Sequence, residues 1–178
     1  PIFVDDASRH TPATMRARCA EIQRRHGLAA IYLDYLQLAE ADATTDRRES
    51  PTRSELIGRI TRAAKRMAKD FHVPFVAAAQ INRESEKGGK RQRPALHNLR
   101  ESGDIEQDAN VVVLLHRTSE KAQGEGAAAE ITREVTAIVE KNRGGRTGDV
   151  AMLFRGAYQR FYEIGPEAGE DARDARGD

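Results

Sequence analysis

Leu56, Ile57, Ile60, Ala63, Ala64, Met67, Ala68 and Phe71 recur at spacings of three and four, so one apolar face runs along a helix of about five turns that should pack on a sheet. Ser50 and Pro51 resemble the start of that helix. Other apolar residues come in short unbroken runs. "IFV" ends at Asp5 and Asp6, "LAAIYLD" ends at Asp34, "VPFVAAAQ" ends at Gln80, and "VVVLLH" follows the polar stretch "LRESGDIEQDAN". Each run has the length of a buried strand. Between the first two, Thr11 and Pro12 form an N-cap and a first-turn proline, opening a helix through about His26 that Gly27 stops.

Strands alternating with helices through the first half predict right-handed crossovers and a mainly parallel sheet with helices on both faces. The later runs "ITREVTAIVEKNR", "GDVAMLF" and "RFYEI" read as strands, with "RGGRTG" the turn between the first two, so an antiparallel extension should follow. The fold class is therefore α/β. "LRESGDIEQDAN" reads as a turn and short helix. Ala39 to Arg53, "NRESEKGGKRQRP" and "AQGEGAAAE" read as loops. The last stretch, "GPEAGEDARDARGD", lacks core residues, which divides the chain into a folded part, 1–164, and a disordered tail, 165–178.

Composition narrows the classes. The 178 residues are enough for one sizeable core, and Lys+Arg 29 against Asp+Glu 28 leaves a net charge of +1. No overall basic field advertises nucleic acid, so any such contact must be local. Cys19 is the one cysteine, with no disulfide partner and no neighbours at metal-ligand spacing; it reads as a reduced, inert thiol of a cytoplasmic protein. No apolar run approaches the ~20 residues of a membrane span, and the first residues have neither the charge order nor the length of a signal peptide. Pro1 stands directly before the apolar "IFV" with no initiator Met, so the chain is expected to be part of something longer.

In open parallel sheets, ligands bind beyond the carboxyl ends of the strands. Asp34 and Gln80 both fall at such ends. A carboxylate that follows a hydrophobic strand suits a Mg²⁺ held through water, the Walker B arrangement, in which the metal bridges nucleotide phosphates. A glutamine on the neighbouring strand can bond the terminal phosphate or an attacking water. A plainer reading also fits: Asp34 caps the turn after its strand, and Gln80 pairs with nearby backbone groups.

The strings "YLDYLQL", "AAAQINR", "LRESGDIEQDA" and "KNRGGRTG", in this order with the long helix between the first two, resemble the DnaB-type replicative DNA helicases. The resemblance runs from the strand before Asp5 to the strand containing Phe161. It implies a RecA-like P-loop NTPase core that, in a homohexamer, uses ATP and Mg²⁺ to move along single-stranded DNA and unwind duplex at the replication fork. On that resemblance Asp34 is the Walker B residue, associated with Mg²⁺ through water, and Gln80 is the γ-phosphate sensor. Lys141 and Arg143 look like the lysine and arginine finger that reach a neighbouring subunit's ATP. Arg100, Glu101, Ser102 and Gly103 look like the central-channel loop that grips DNA, Arg100 pairing with a phosphate. Arg91 and Arg93 would add nearby positive charge. Primase and a helicase loader are implied as further partners.

No "GxxxxGK[ST]" phosphate loop occurs in the 178 residues, and Tyr35, which follows Asp34, cannot act as a general base. The first strand and phosphate loop of such a core are thus missing from this chain, and the polypeptide alone is expected to bind ATP weakly and hydrolyse none. Two other identities fit the residues: a decayed or truncated, non-catalytic DNA-binding or interaction module, and a fragment of a RecA-type recombinase.

Overall fold

A computed structural model describes residues 1–40, 52–81, 93–96, 98–99, 103–123 and 130–164. The chain divides into two compact units, Pro1–Arg83 with Leu96–Ala109, and Glu84–Ala95 with Asn110–Asp178.

In the first unit, Thr11 caps helix α1 (Pro12–His26) through a capping box. Its hydroxyl accepts from the Thr14 N–H at 3.3 Å, and the Thr14 hydroxyl accepts from the Thr11 N–H at 2.9 Å. The helix stops at Gly27, whose φ of 77° lies where side chains are strained. Strand β1 (Ile31–Leu33) follows, then a 3₁₀ turn at Leu36–Leu38. Helix α2 (Arg53–Phe71) is capped by Thr52, not by Ser50 as expected; Ser50 and Pro51 lie outside the described residues. The Thr52 N–H bonds the Glu55 carboxylate at 2.7 Å, and this bond, with one from the Thr52 hydroxyl at 3.0 Å, holds the Glu55 pKa below its ordinary value. After α2, strand β2 (Phe75–Ala77) pairs parallel with β1, Ile31 opposite Phe75 and Leu33 opposite Ala77.

The apolar face of α2 is buried as its periodicity predicts, and it makes two clusters. Near its C-terminal end Met67 and Phe71 meet Cys19 of α1, with Met15, Leu28, Ile31, Val73 and Phe75 around them. Nearer its start Ile57 and Ile60 meet Leu36, flanked by Leu33, Ala39 and Ile105. Ile60 and Met67 are 1% and 2% exposed. Burial of this completeness contributes ~1.5–3 kcal/mol for each side chain. The Gln23 amide donates to the Phe71 carbonyl at 3.2 Å and Arg16 pairs with Asp70, so α1 is also tied to α2 by polar contacts. Burial pushes the Cys19 thiol's pKa up, which keeps it protonated and fits the expectation of an inert thiol.

Both clusters lie on one face of the β1–β2 pair. Tyr32 and Val76, paired across the strands, point the other way and are exposed. Ile2, Phe3 and Val4 were expected in a buried strand, yet they have no strand geometry and are exposed. An apolar run becomes a strand only when a neighbour satisfies its N–H and C=O groups, and among the described residues none does. The run from Val73 to Gln80 is a formal strand only over Phe75–Ala77.

The second unit is an antiparallel meander, β3 (Val111–Gln123), β4 (Glu130–Asn142), β5 (Gly148–Arg155) and β6 (Arg160–Glu163), in spatial order. Leu114 of β3 stands opposite Ile138 of β4, and both are buried, as are Val112, Val135 and Ala137. The rings of Phe154 and Phe161, cross-strand neighbours on β5 and β6, pack at 4.8 Å. Of "AQGEGAAAE", expected as a loop, Ala122 and Gln123 belong to β3 and Glu130 to β4, while 124–129 and the tail at 165–178 lie outside the described residues.

Candidate functional site

The end of β1 is where the site begins. Asp34 leaves the strand exposed, its peptide bond to Tyr35 is cis, and among the described residues its carboxylate makes no hydrogen bond or ion pair. No side chain caps the following 3₁₀ turn. The turn-cap reading of Asp34 therefore finds no bond to support it.

Backbone pairing between the two parallel segments continues past the formal strands. The Ala78 N–H donates to the Leu33 carbonyl at 2.9 Å, and the Leu36 N–H donates to the Ala78 carbonyl at 2.8 Å. These bonds carry Gln80 to the same carboxyl-terminal edge as Asp34. The Gln80 backbone is then held by one side chain, Gln37: its Nε2 donates to the Gln80 carbonyl at 2.9 Å, and its Oε1 accepts from the Gln80 N–H at 3.1 Å. The Gln80 side chain is exposed, with no partner among the described residues.

Such an edge can take a phosphate-bound cation. Among the described residues no group of three or more His, Cys, Asp and Glu could cage a metal. A lone exposed carboxylate instead fits a Mg²⁺ that keeps most of its waters and is held chiefly by phosphate oxygens.

In the second unit, Lys141 is half-buried near the end of β4, opposite Val112, and Arg143 opens the turn into β5. Asn142 builds that turn. Its Oδ1 accepts from the Gly144 N–H at 3.2 Å and its Nδ2 donates to the Arg146 carbonyl at 3.2 Å. A Cβ on Gly145 would stand 2.8 Å from the Asn142 Nδ2, so a side chain there would push the Asn142 amide out of its present place. The Arg143 N–H donates to the Asn110 carbonyl at 2.9 Å, which fixes the residue's backbone.

Arg100, Glu101 and Ser102 lie outside the described residues, and Gly103 is the first residue of helix α3 (Gly103–Asp108). α3 is seated on α2. The Thr61 hydroxyl donates to the Asp108 carboxylate at 2.8 Å, Lys65 Nζ donates to the Asp108 carbonyl at 2.7 Å, and Ile105 joins the cluster of Leu36, Ile57 and Ile60. Arg91 is outside the described residues. Arg93 spends its charge on Asp149, with paired bonds of 2.5 and 2.7 Å that raise its own pKa and lower that of Asp149, so it is not the open positive charge its loop suggested.

Gln37, Asn142, Thr61 and Asp108 were not singled out from the sequence. Gln37 left the clearest trace: a lone amide between Leu36 and Leu38, where an apolar run has no need of one.

Residues 1–163 match the family described as the DnaB-like helicase C-terminal domain, and the chain belongs to that family. The replicative DNA helicase DnaB of Leifsonia xyli subsp. xyli is 39% identical over 166 residues, which are 93% of this chain and 34% of that protein. The DnaB of Haemophilus influenzae is 38% identical over 164 residues, 90% of this chain and 32% of its own length. The chain thus spans about a third of the length of these relatives. Among solved structures, a DnaB-like replicative helicase studied for its interactions with primase superposes with a TM-score of 0.74 at 28% identity, covering 90% of this chain and 36% of that one. An ATPase domain superposes with a TM-score of 0.72 at 27% identity, covering 90% of this chain and 54% of its own. The fold is that of these RecA-like ATPase domains. No described helix is long and apolar enough to cross a membrane.

Proposed function

We propose that this chain is the C-terminal part of the motor of an ATP-dependent replicative DNA helicase, working in the cytoplasm as a homohexamer that moves on single-stranded DNA and unwinds duplex. The observation that carries this reading is the placement of Asp34 and Gln80 at the same edge of the parallel β1–β2 pair, side chains exposed and without partners among the described residues, in a member of the DnaB-like family. Asp34 would hold the waters of an ATP-bound Mg²⁺, and the Gln80 amide would bond the γ-phosphate or the attacking water. Lys141 and Arg143 would serve the ATP of a neighbouring subunit, a guanidinium there stabilising charge that develops on the phosphoryl group in transfer. Arg100, Glu101, Ser102 and Gly103 would track the DNA backbone, Arg100 pairing with a phosphate and Glu101 orienting it. The chain holds no phosphate-binding loop, so a second segment must supply that wall of the site. Primase and a loader are the further partners this reading implies.

The test is to graft residues 1–164 onto a donor half that carries the phosphate-binding loop. Gln80→Ala and Arg143→Ala should each lower DNA-stimulated hydrolysis by about a hundredfold while ring formation persists. Arg100→Ala should weaken single-strand binding and flatten its dependence on salt. Intact rings whose hydrolysis is unchanged by either of the first two substitutions would refute the assignment. An unchanged salt slope would remove Arg100 from the DNA loop.

A further inference from the structure

A glutamine side chain that both donates to and accepts from one residue's backbone copies the pairing of two strands, but with a single side chain. Gln37 does this to Gln80 at 2.9 and 3.1 Å. The contact joins residues 43 apart in sequence, and β1–β2 pairing has already ended at Ala78. Gln80 itself belongs to no strand or helix. Without Gln37, nothing among the described residues bonds the backbone of Gln80, and its side chain would sweep a wide volume. Gln37 is itself well fixed. It sits in the 3₁₀ turn between Leu36, buried against Ile57 and Ile60, and Leu38.

We propose that Gln37 is a positioning residue for the reaction: it locks the Gln80 backbone at the sheet edge, so that the Gln80 amide is presented to the terminal phosphate at a fixed distance from Asp34. This rests on the reading of Gln80 as the phosphate sensor. Catalytic groups must be held to a fraction of an ångström to be effective, and a side chain on an unpaired loop is not. The 3₁₀ turn lies two residues beyond Asp34, so the same short segment that carries the metal-side carboxylate also sets the sensor.

The lock is testable on the 178-residue chain by hydrogen exchange of the Gln80 amide, which donates to the Gln37 Oε1. Gln37→Ala should speed that exchange about tenfold relative to neighbouring amides. Gln37→Glu supplies a sharper signature. Near neutral pH its carboxylate accepts from the Gln80 N–H but repels the Gln80 carbonyl, so protection should fall. Once protonated, below about pH 4, the carboxyl offers one donor and one acceptor like the original amide, and protection should return. A merely space-filling role would give no such pH profile, because the variant has the same shape at both pH values. In the grafted motor, Gln37→Ala should lower kcat about tenfold with KM for ATP within about twofold. Unchanged Gln80 exchange in Gln37→Ala, or no pH-dependent recovery in Gln37→Glu, overturns the lock. Lost protection with unchanged kcat, while Gln80→Ala abolishes turnover, overturns the positioning role and leaves the sensor reading standing. A Gln80→Ala motor that still turns over normally sinks the sensor reading, and the positioning role with it.

Discussion

The seat of α3 on α2 can be broken at one atom. Thr61 is 8% exposed and its hydroxyl donates to the half-buried Asp108 carboxylate at 2.8 Å; Thr61→Val removes that hydroxyl while keeping the branched shape. A hydrogen bond to a charged group contributes about 1.5–3 kcal/mol when both partners are buried. Water can reach Asp108, and the new methyl gains some burial, so the expected loss is about 1 kcal/mol. It should concentrate in α3, because Lys65 holds only the carbonyl of Asp108. The Ala109 amide, which donates to the Ile105 carbonyl at 3.0 Å, reports on that helix. Its exchange should speed up about fivefold to tenfold in Thr61→Val, while Thr61→Ser stays near wild type. Urea denaturation of Thr61→Val, Asp108→Ala and the double variant should give a coupling energy of about 1 kcal/mol. A coupling below about 0.3 kcal/mol, together with unchanged Ala109 exchange, would show that the hydroxyl does not seat the helix.

Gly145→Ala should destabilise the chain by about 1 kcal/mol, because the added Cβ would meet the Asn142 Nδ2 at 2.8 Å and displace a side chain that makes two turn-forming bonds. Combined with Asn142→Ala the loss should not add, which thermal denaturation of the two single variants and the double variant can check. Acid should act through Asp149 and Glu55, whose folded pKa values are both depressed, the first by the Arg93 bond and the second by Thr52. For a depressed carboxylate the unfolded chain binds the proton first on acidification. The stabilisation is therefore complete above the unfolded values near pH 4 and disappears as pH falls through the lower folded values. Asp149→Asn should flatten part of that acid transition in a pH series of denaturation curves, and an unaltered acid limb would discount the Arg93 pair.

Local signals in the sequence were enough to place α1, by its cap and stop, and α2, by a face repeating at three and four, although the cap of α2 is Thr52 and not Ser50. Thr11, Pro12 and Gly27 bound the first, and Ile57, Ile60, Met67 and Phe71 mark the buried side of the second. The antiparallel strands β4, β5 and β6 were legible because a hairpin's partner is its neighbour in sequence, whereas β3, read only as "VVVLLH", runs on to Gln123. Strand-end placement of Asp34 and Gln80 could also be read, and so could the family, from strings such as "YLDYLQL" and "LRESGDIEQDA".

Sequence alone named the residues proposed to carry the chemistry. Tertiary structure decided which of them are held, and by what. Ile2, Phe3 and Val4 look like a strand but have no paired neighbour among the described residues. Arg93 looks like an open cation but is bound to Asp149, 56 residues away. Gln37 looks like an incidental polar residue in an apolar run, and it turns out to grip the backbone of Gln80. Each of these outcomes depends on a partner distant in sequence. Pattern along a chain reports local propensity and burial, whereas a hydrogen bond or ion pair between distant residues exists only once the fold has brought donor and acceptor within about 3 Å.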